Sequence, residues 1–395
     1  MTPHYTFSDR TNWEFNSNQL SIELEKMRLS GQEYFDLTQS NPTNCGFHYP
    51  QDLLSALSNS DNLTYSPDSK GLLAARQAIV RYYQEQGISV DPESIILTAS
   101  TSEGYTYLFR LLLNPGDKVL VARPSYPLFS YLIELCDAHY DGYTLVYENN
   151  RWQIDIDSLE AAIDPSVKAV IFVNPNNPTG SYVSRDELDA VNQVCRRHNL
   201  AIISDEVFFD YRLDKHGPAP VSLAQNAQVL TFTLNGISKS LGLPQMKLSW
   251  IVCNGPRDLV DESVKRLEMI ADSFLSVNTP VQNALAAWLN ARQDIQQEIL
   301  RRAADNHELI KDFANRHGLS FYSSSAGWYA VIYSPQFRDE EQWVLKALSL
   351  KRVLVHPGYF YDFPNEGFLV VSLLPQSSLF NQGLKALSEL IGEAR

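Results

Sequence analysis

The sequence predicts an α/β protein whose large domain has three layers, with a mostly parallel sheet of seven strands between two layers of helices. Two observations lead to this fold class. From about residue 94, short apolar segments alternate with longer stretches of helical periodicity, a pattern typical of parallel sheets covered on both faces. After about residue 281, a long charged helical run replaces the alternation and predicts a smaller α+β domain.

Seven segments have the length and apolar content of buried strands. They lie at 95–98, 118–122, 143–147, 169–173, 201–204, 229–234 and 248–253. Helical stretches fall between most of them, including 102–113, 184–198 and 258–274. We expect residues 50–285 to form the large domain. Residues 1–49 and 286–395 are expected to form the small domain together, because neither piece alone has enough apolar residues for a core.

The composition narrows the classes of partner. The 395 residues carry a formal net charge of −14, which argues against binding along a nucleic-acid backbone. The four cysteines form no CxxC pair, so we expect no disulfide framework and no metal site. The first thirty residues lack an apolar signal core, and no apolar run reaches the roughly 20 residues of a membrane helix. We therefore expect a cytoplasmic protein without nucleic-acid or membrane partners.

Polar or aromatic motifs follow the first two predicted strands. Ser100, Thr101 and Ser102 come after the first strand and open a helix, where N–H groups and hydroxyls can receive an anion. A plain helix N-cap explains the same residues. Tyr126 follows the second strand between two prolines, which would hold its ring rigid. Such a ring could stack on a flat ligand or simply pack against its neighbours.

Two further strands end in longer polar motifs. The string from Asn174 to Gly180, Asn-Pro-Asn-Asn-Pro-Thr-Gly, predicts a stiff loop whose amide side chains face over the sheet edge. Its length and order make it more specific than an ordinary turn. Asp205 and Glu206 follow the fifth strand, where a carboxylate is costly unless a group such as a cationic ring nitrogen pairs with it. A helix N-cap is the alternative interpretation of Asp205.

A serine–lysine pair, Ser238-Lys239, follows the sixth strand, and Lys247 comes eight residues later. A desolvated lysine can lose its proton and form a Schiff base with a carbonyl, whereas an isolated Ser-Lys is usually a surface turn. The arrangement favours a catalytic role for Lys239 over a surface turn. All these motifs lie at the carboxyl ends of predicted parallel strands, where one ligand could touch them. Neither G-x-G-x-x-G nor G-x-x-x-x-G-K-[ST] occurs, so a nicotinamide or nucleoside-triphosphate site is unsupported.

With these motifs in this order and spacing, nearly the whole chain resembles the class I and II aminotransferases of fold type I, which use pyridoxal 5′-phosphate. The most specific marks are Asn-Asn-Pro-Thr-Gly180, Ser-Asp-Glu206 and Ser-Lys239. The resemblance implies that Lys239 forms the Schiff base with the cofactor and later moves the proton. It implies that Asp205 pairs with the pyridinium nitrogen and keeps that nitrogen protonated.

The resemblance assigns further cofactor contacts. Asn177 would bond the 3′-oxygen of the ring, and Tyr126 would stack on the ring. The residues that would cup the phosphate are Ser100, Thr101, Ser102, Ser238 and Lys247. Tyr65 matches the family's tyrosine that reaches the phosphate of the neighbouring subunit, so the resemblance implies a homodimer with shared active sites.

Three departures from the family lie around the cofactor. Lys247 stands where the family usually has an arginine, and a lysine lacks the bidentate fork. Gly236 stands where a serine is common, which removes a hydroxyl. Phe208 replaces a tyrosine whose phenol usually bonds the 3′-oxygen. We therefore expect the Schiff-base nitrogen to have a raised pKa, unless a tyrosine from elsewhere, such as Tyr211, takes over.

A fourth departure concerns the substrate. The family commonly has Gly-Tyr-Ile-Arg-Ile-Ser near the C-terminus, where the arginine clamps the α-carboxylate; here the string is Gly-Phe-Leu-Val-Val-Ser, with Val370 at the arginine position. No further arginine follows Arg352 until the last residue, and we expect Arg352 on the surface at a strand start. Either another donor such as His356 or Asn177 takes the carboxylate, or the substrate does not present it in the usual way.

The predicted function is transamination, in which an amino group passes from an amino acid to the cofactor and then to a 2-oxo acid. The ring-rich segment 358–363 suggests a donor with an apolar or aromatic side chain, although these rings could equally pack the small domain. A lyase, decarboxylase or cyclase with the same cofactor is an alternative, since several of these routes share a carbanion. A cofactor-binding regulatory domain is a second alternative, which the absence of a basic DNA-binding extension disfavours.

Overall fold

The computed structural model describes residues 6–13, 18–126, 129–217 and 219–393. Within these ranges the strands are β1 Phe35–Asp36, β2 Ile95–Thr98, β3 Lys118–Arg123, β4 His139–Glu148, β5 Arg151–Ile154, β6 Val167–Val173, β7 Ala201–Asp205, β8 Thr231–Gly236, β9 Ser249–Asn254, β10 Ser320–Tyr322, β11 Tyr329–Tyr333, β12 Val353–Leu354, β13 His356–Pro357 and β14 Phe368–Ser372. The helices are α1 Gln19–Leu29, α2 Leu73–Gln84, α3 Thr101–Leu112, α4 Phe129–Glu134, α5 Ile156–Ala161, α6 Arg185–His198, α7 Ile237–Ser240, α8 Arg257–Asp272, α9 Thr279–Asn290, α10 Arg292–His317, α11 Glu340–Lys351 and α12 Ser377–Glu393.

The large sheet has the order β2-β9-β8-β7-β6-β3-β4-β5. Strands β8, β7, β6, β3 and β4 are parallel to one another, while β9 runs antiparallel to both β2 and β8. The prediction of an α/β fold with a mostly parallel sheet is confirmed, and all seven predicted strands are present. Because β9 reverses direction, β2 points the same way as the parallel strands.

An eighth strand, β5, extends the sheet beyond the seven that the sequence indicated. It pairs antiparallel with β4 after a turn at Asn149 and Asn150, which both adopt positive φ angles of 51° and 61°. Asparagine tolerates this left-handed conformation better than most residues. The strand is four residues long and buries only Trp152 and Ile154, so its apolar signal was too short to stand out in the sequence.

The central strands are buried on both faces, which explains their continuous apolar sequence. On one face, Ile171 and Ile203 pack in a core that includes side chains of α3 and α8. On the opposite face, Val170 and Ile202 pack in a core with side chains of α6. A capping box at Ser184 begins α6. These two cores fix the sheet between its helical layers.

A smaller antiparallel sheet has the order β10-β11-β14-β13, and a short parallel pair joins β1 to β12. The N-terminal segment reaches this region: Leu20, Met27 and Leu37 pack in one core with side chains of α10, α11 and α12. One face of the small sheet, including Val331 and Val370, belongs instead to the core shared with the large sheet. The two sheets therefore face each other across a common apolar layer.

The sheet edge that carries the predicted motifs is organised by the buried carboxylate of Glu206. Its oxygens accept hydrogen bonds from Ser222 Oγ at 2.6 Å, the Leu223 N–H at 2.7 Å, Ser204 Oγ at 3.1 Å and Asn174 Nδ2 at 3.2 Å. Burial raises the pKa of Glu206 to about 7 although these donors lower it. The carboxylate thus ties the end of β7 to the loops on either side.

Replacing Glu206 with alanine is expected to lower the free energy of unfolding by about 3 kcal/mol, because several buried donors lose their acceptor. Glu206→Gln should cost less, since its amide oxygen still accepts. Denaturant-induced unfolding measures both effects. The control is Glu262→Ala, which removes an exposed pair with Arg266 on α8 and should change stability by less than ~0.5 kcal/mol. Equal stability of Glu206→Ala and wild type would contradict the anchoring role.

Candidate active site

A cavity of about 360 Å³ lies where the carboxyl ends of the parallel strands meet the small sheet. Of the residues that the sequence indicated, those that line it are Thr101, Ser102, Tyr126, Asn177, Asp205, Phe208, Ser238 and Lys239. The lining also includes residues from the small-sheet side: Ser40, Tyr329, His356, Phe360 and Tyr361. The structure therefore brings most of the predicted motifs to one place.

Lys239 lies on the one-turn helix α7 directly after β8. Its Nζ is 5.0 Å from the ring centre of Trp328 and 5.5 Å from that of Phe208. Tyr211 donates its hydroxyl hydrogen to the main-chain oxygen of Lys239 at 2.6 Å. Burial lowers the pKa of Lys239 to about 8, although the charge of Asp205 opposes this shift. A larger share of this amine is therefore unprotonated and nucleophilic at neutral pH than for an ordinary lysine.

Asp205 is the second ionisable group of the cavity and is buried at the end of β7. Its carboxylate accepts hydrogen bonds of 3.1 Å from the Tyr105 hydroxyl and from the Val207 N–H. Burial raises the pKa of Asp205 to about 6, while these hydrogen bonds and the charge of Lys239 act against the shift. A cation placed beside this carboxylate would favour its ionised form.

Asn177 is held over the sheet edge by the rigid loop that begins at Asn174. The Asn174 N–H donates to Asp205 O at 2.8 Å, and the Gly180 N–H donates to Asn176 O at 2.8 Å. Asn177 itself is buried, and no hydrogen-bond partner of its Oδ1 is found in the described part of the chain. A buried polar atom without a partner is uncommon in native proteins and points to a ligand.

The phenol that Phe208 lacks is not supplied by Tyr211, whose hydroxyl is bonded to the Lys239 main chain. Phe208 is buried against the ring of Trp328 at 5.2 Å. The phenol beside Asn177 is that of Tyr329: burial raises its pKa to about 12, and hydrogen bonding to Ser40 and Asn177 acts against this shift. Sequence reasoning missed Tyr329 because it belongs to β11, more than a hundred residues from the motif that it joins.

Hydroxyl groups cluster around the amino end of α3. Ser102, Thr101 and Ser238 line the cavity as expected, and Ser249 joins them. The hydroxyl of Ser100 is used differently, since it accepts the Glu103 N–H at 3.1 Å and caps α3.

Ser249 explains the absence of a side chain at Gly236. The two residues are directly opposite each other in the antiparallel pair of β8 and β9. A Cβ at Gly236 would overlap the Ser249 Oγ. Only one of the two positions can therefore carry a side chain, and in this protein the hydroxyl is on β9.

Three of the predicted cofactor contacts lie outside the cavity lining, namely Ser100, Lys247 and Tyr65. Lys247 is exposed and has a left-handed backbone conformation, with a φ of 54°, two residues before β9 begins. Tyr65 is 78% exposed, as a side chain that serves a second subunit would be in one isolated chain.

The small-sheet end of the cavity carries no arginine among the described lining residues. Val370 is fully buried and lies opposite His356 in the pair of β14 and β13. His356 Nδ1 is 2.9 Å from the Tyr361 hydroxyl, and burial lowers the pKa of His356 to about 4, so the ring is neutral at physiological pH. Arg352 is exposed immediately before β12, as predicted.

The ring-rich segment 358–363 partly lines the cavity and partly packs the small domain, the two roles that the sequence left open. Phe360 and Tyr361 line the cavity. Phe363 instead stacks on Phe368, with ring centres 4.2 Å apart, and so packs the small sheet.

The donor set of the cavity fits pyridoxal 5′-phosphate. Lys239 offers an amine of lowered pKa for the aldehyde, and Asp205 offers a buried carboxylate for a cationic ring nitrogen. The hydroxyls at the start of α3 suit the phosphate. The unpartnered amide oxygen of Asn177 marks space where a ligand is expected.

The described residues contain no group of three or more His, Cys, Asp or Glu side chains arranged to hold a metal ion. Among the same residues, no helix combines the length and apolar character needed to cross a membrane. All four cysteines are free thiols.

Comparison with known proteins places this arrangement in a family. The model of the class I and II aminotransferases matches residues 25–379. The glutamate-pyruvate aminotransferase AlaA of Escherichia coli is 30% identical over 367 residues, which are 89% of each chain. An alanine aminotransferase of Mycobacterium bovis is also 30% identical and covers 89% of this chain and 84% of its own. A tyrosine aminotransferase of Mus musculus is 26% identical over 93% of this chain and 84% of its own.

Solved structures agree with the sequence relatives. The alanine aminotransferase of Pyrococcus furiosus superposes with a TM-score of 0.88 at 25% identity, covering 98% of this chain and 100% of its own. An aminotransferase from Escherichia coli gives a TM-score of 0.85 at 27% identity and covers 99% of both chains. These relatives do not favour the lyase, decarboxylase, cyclase or regulatory alternatives. The chain belongs to the class I and II aminotransferases and is an enzyme that uses pyridoxal 5′-phosphate to transfer an amino group.

Proposed function

We propose that this aminotransferase moves an amino group from an amino donor with an apolar or aromatic side chain to a 2-oxo acid. The observation that carries the proposal is the burial of Lys239 and Asp205 in one cavity, with a lowered pKa for the amine. Relatives named as glutamate-pyruvate, alanine and tyrosine aminotransferases support a 2-oxo acid acceptor and a donor of this type. The rings of Tyr126 and Phe360 give the cavity wall an apolar surface for the donor's side chain.

When bound, pyridoxal 5′-phosphate supplies an electron-accepting ring that holds the amino group between the two half-reactions. The Nζ of Lys239 would hold the aldehyde. The same Nζ would take the proton from the donor's α-carbon and return it to the neighbouring atom. Asp205 would keep the ring nitrogen protonated, Asn177 would bond the ring's 3′-oxygen, and Tyr126 would stack on the ring.

The phosphate contacts follow from the hydroxyl cluster. Thr101, Ser102 and Ser238 would bind the phosphate oxygens, and Ser249 would supply the hydroxyl that Gly236 lacks. Ser100 would contribute through the backbone of the helix start that it caps, and Lys247 through its positive charge.

We also propose a homodimer in which Tyr65 reaches the phosphate of the second subunit. Exposed apolar side chains support an interface on this surface: Leu63 is 91% exposed, close to Tyr65 in the chain. Residues 50–285 form the large domain of each subunit, and residues 1–49 with 286–395 form the small one. The four free thiols suit the reducing cytoplasm, where we place the enzyme.

Transamination is tested by the first half-reaction. Enzyme loaded with pyridoxal 5′-phosphate is mixed with L-phenylalanine or L-alanine and no acceptor, and the released cofactor is identified after denaturation. We expect the aminated cofactor to accumulate and a 2-oxo acid to restore the aldehyde. The Lys239→Ala variant should form no aminated cofactor at a measurable rate. Release of ammonia or carbon dioxide with an unchanged cofactor would instead support a lyase or a decarboxylase.

The lowered pKa of Lys239 predicts the pH dependence of cofactor capture. Because only the neutral amine attacks the aldehyde, the rate of Schiff-base formation by cofactor-free protein should rise with pH around a midpoint near 8. Asp205 raises the pKa of Lys239, so Asp205→Asn should shift the midpoint to lower pH. Stopped-flow absorbance measures the rate, with Lys239→Ala as the blank. A midpoint above 10, as for an exposed lysine, would contradict the burial argument.

The pairing of Gly236 with Ser249 predicts a reciprocal rescue. Ser249→Gly should weaken pyridoxal 5′-phosphate binding by about tenfold, because a hydrogen bond to a charged group is lost. Gly236→Ser alone should also weaken binding, since its Cβ overlaps the Ser249 Oγ. The double variant should recover most of the affinity. Fluorescence titration measures binding, with pyridoxal as the control ligand without a phosphate; unchanged affinity of Ser249→Gly would contradict the assignment.

A further inference from the structure

The small-sheet end of the active-site cavity is polar but carries no fixed positive charge. Among the described lining residues the only basic side chains are Lys239, which the proposed mechanism uses, and His356. The His356 ring is buried, and its Nδ1 is hydrogen-bonded to the Tyr361 hydroxyl. Its other neighbours across the sheet are the apolar side chains of Val370 and the adjoining core. A charged group of the substrate at this end therefore finds no fixed counter-ion among the described lining residues of this chain.

Besides the His356–Tyr361 pair, polar atoms at this end belong to three neutral side chains, Ser40, Asn177 and Tyr329, which we call the neutral cradle. Ser40 and Asn177 act against the rise that burial causes in the pKa of Tyr329. Tyr329 is buried, with 8% of its surface exposed, and Asn177 is 5% exposed. Two of the three cradle side chains are thus largely removed from solvent, and Ser40 is half-buried.

The Ser40 side of the cradle is fixed to the end of β14. The Ser372 N–H donates to Leu37 O at 2.7 Å, and the Ser372 hydroxyl donates to Gln39 O at 2.6 Å. Tyr329 lies opposite Ser372 in the pair of β11 and β14. Ser372 therefore links the segments that carry Ser40 and Tyr329, whereas Val370 is fully buried and is not part of the described lining.

The chemistry of the cradle differs from that of an arginine clamp. An arginine offers only donors and a full charge. The cradle offers hydroxyl groups that can donate, together with the Asn177 Oδ1, a buried acceptor with no partner among the described residues. An acceptor repels the oxygens of a carboxylate but receives the N–H of a carboxamide or the O–H of an alcohol. A neutral polar group can therefore satisfy all parts of the cradle.

We propose that the neutral cradle receives the group on the donor's α-carbon, and that the enzyme accepts α-amino carboxamides and 2-amino alcohols with at most about a tenfold preference for the matching α-amino acids. The inference rests on the proposed transaminase function and specifies its donor class. In the reaction with a carboxamide, the α-hydrogen leaves as a proton, the C–N bond at the α-carbon breaks, and water supplies the oxygen of the new ketone. The α-carbon is oxidised by two electrons. The amino group and these electrons pass to the 2-oxo acid, which is reduced to an amino acid and loses its keto oxygen as water.

The proposal is tested by comparing L-phenylalanine, L-phenylalaninamide and L-phenylalaninol as donors in the half-reaction. Rates are corrected for the fraction of unprotonated amine, because the three amines differ in basicity. The proposal expects kcat/KM for the acid to exceed that for the amide by about tenfold at most, or to fall below it. A larger preference for the acid would overturn the proposal, since a fixed cation is typically worth about thirtyfold or more.

A variant of Tyr329 tests whether the neutral cradle contacts the group on the donor's α-carbon. Tyr329→Phe should lower kcat/KM for all three donors by about two- to tenfold, the value of one neutral hydrogen bond. The same variant should cost 2-phenylethylamine, which has no group at this position, less than it costs the three donors. Tyr333→Phe on the same strand is the matched control, since the Tyr333 ring packs against Phe368. An equal loss with 2-phenylethylamine would show a merely structural role and would overturn the assignment of Tyr329.

Binding of substrate analogues tests the neutral cradle independently of whether the enzyme transaminates. 3-Phenylpropanoate and 3-phenylpropanamide lack the amino group, and their binding can be followed by the fluorescence of Trp328 beside Lys239. Similar affinities are expected, and a strong preference for the carboxylate would count against the cradle. If no donor aminates the cofactor, the transaminase proposal fails. If only acids do so, the transaminase proposal stands and the neutral cradle fails.

Discussion

The structure depends on one electrostatic arrangement, in which an amine and a carboxylate are desolvated together at the edge of a parallel sheet. Burial disfavours the charged form of both groups, so it lowers the pKa of Lys239 and raises that of Asp205. Each group is thereby prepared for a partner that the isolated chain does not supply. The amine is ready for an aldehyde and the carboxylate for a cationic ring nitrogen, and pyridoxal 5′-phosphate carries both.

The fold positions Lys239 and Asp205 at one edge of the large sheet. Parallel strands end at one edge, so the loops after β2, β6, β7 and β8 converge without any of them being long. Glu206 fixes the turn behind Asp205 through four buried hydrogen bonds. The small sheet closes the cavity from the other side and contributes its own neutral polar groups. Lys239 and Asp205 therefore lie on the large sheet, and the small sheet faces them across the cavity.

The sequence predicted those parts of the site that follow their strands directly. Lys239, Asp205 and Asn177 each stand in a short motif after an apolar segment, so order and spacing were sufficient. Ser249 was missed because its role depends on its cross-strand pairing with Gly236. Ser40 and Tyr329 were missed because packing of the small sheet brings them to the cavity from distant parts of the chain. The hydroxyl of Ser100 proved to cap a helix, an alternative that the sequence could not separate from anion binding.

The most direct test of the account is the protonation state of the cofactor's ring nitrogen. Protein reconstituted with ¹⁵N-labelled pyridoxal 5′-phosphate can be examined by nitrogen NMR, with wild type and Asp205→Asn compared at the same pH. The account predicts the chemical shift of a protonated pyridinium in the wild type and of an unprotonated nitrogen in the variant. An unprotonated ring nitrogen in the wild type would contradict it, because Asp205 would then not be facing a cation.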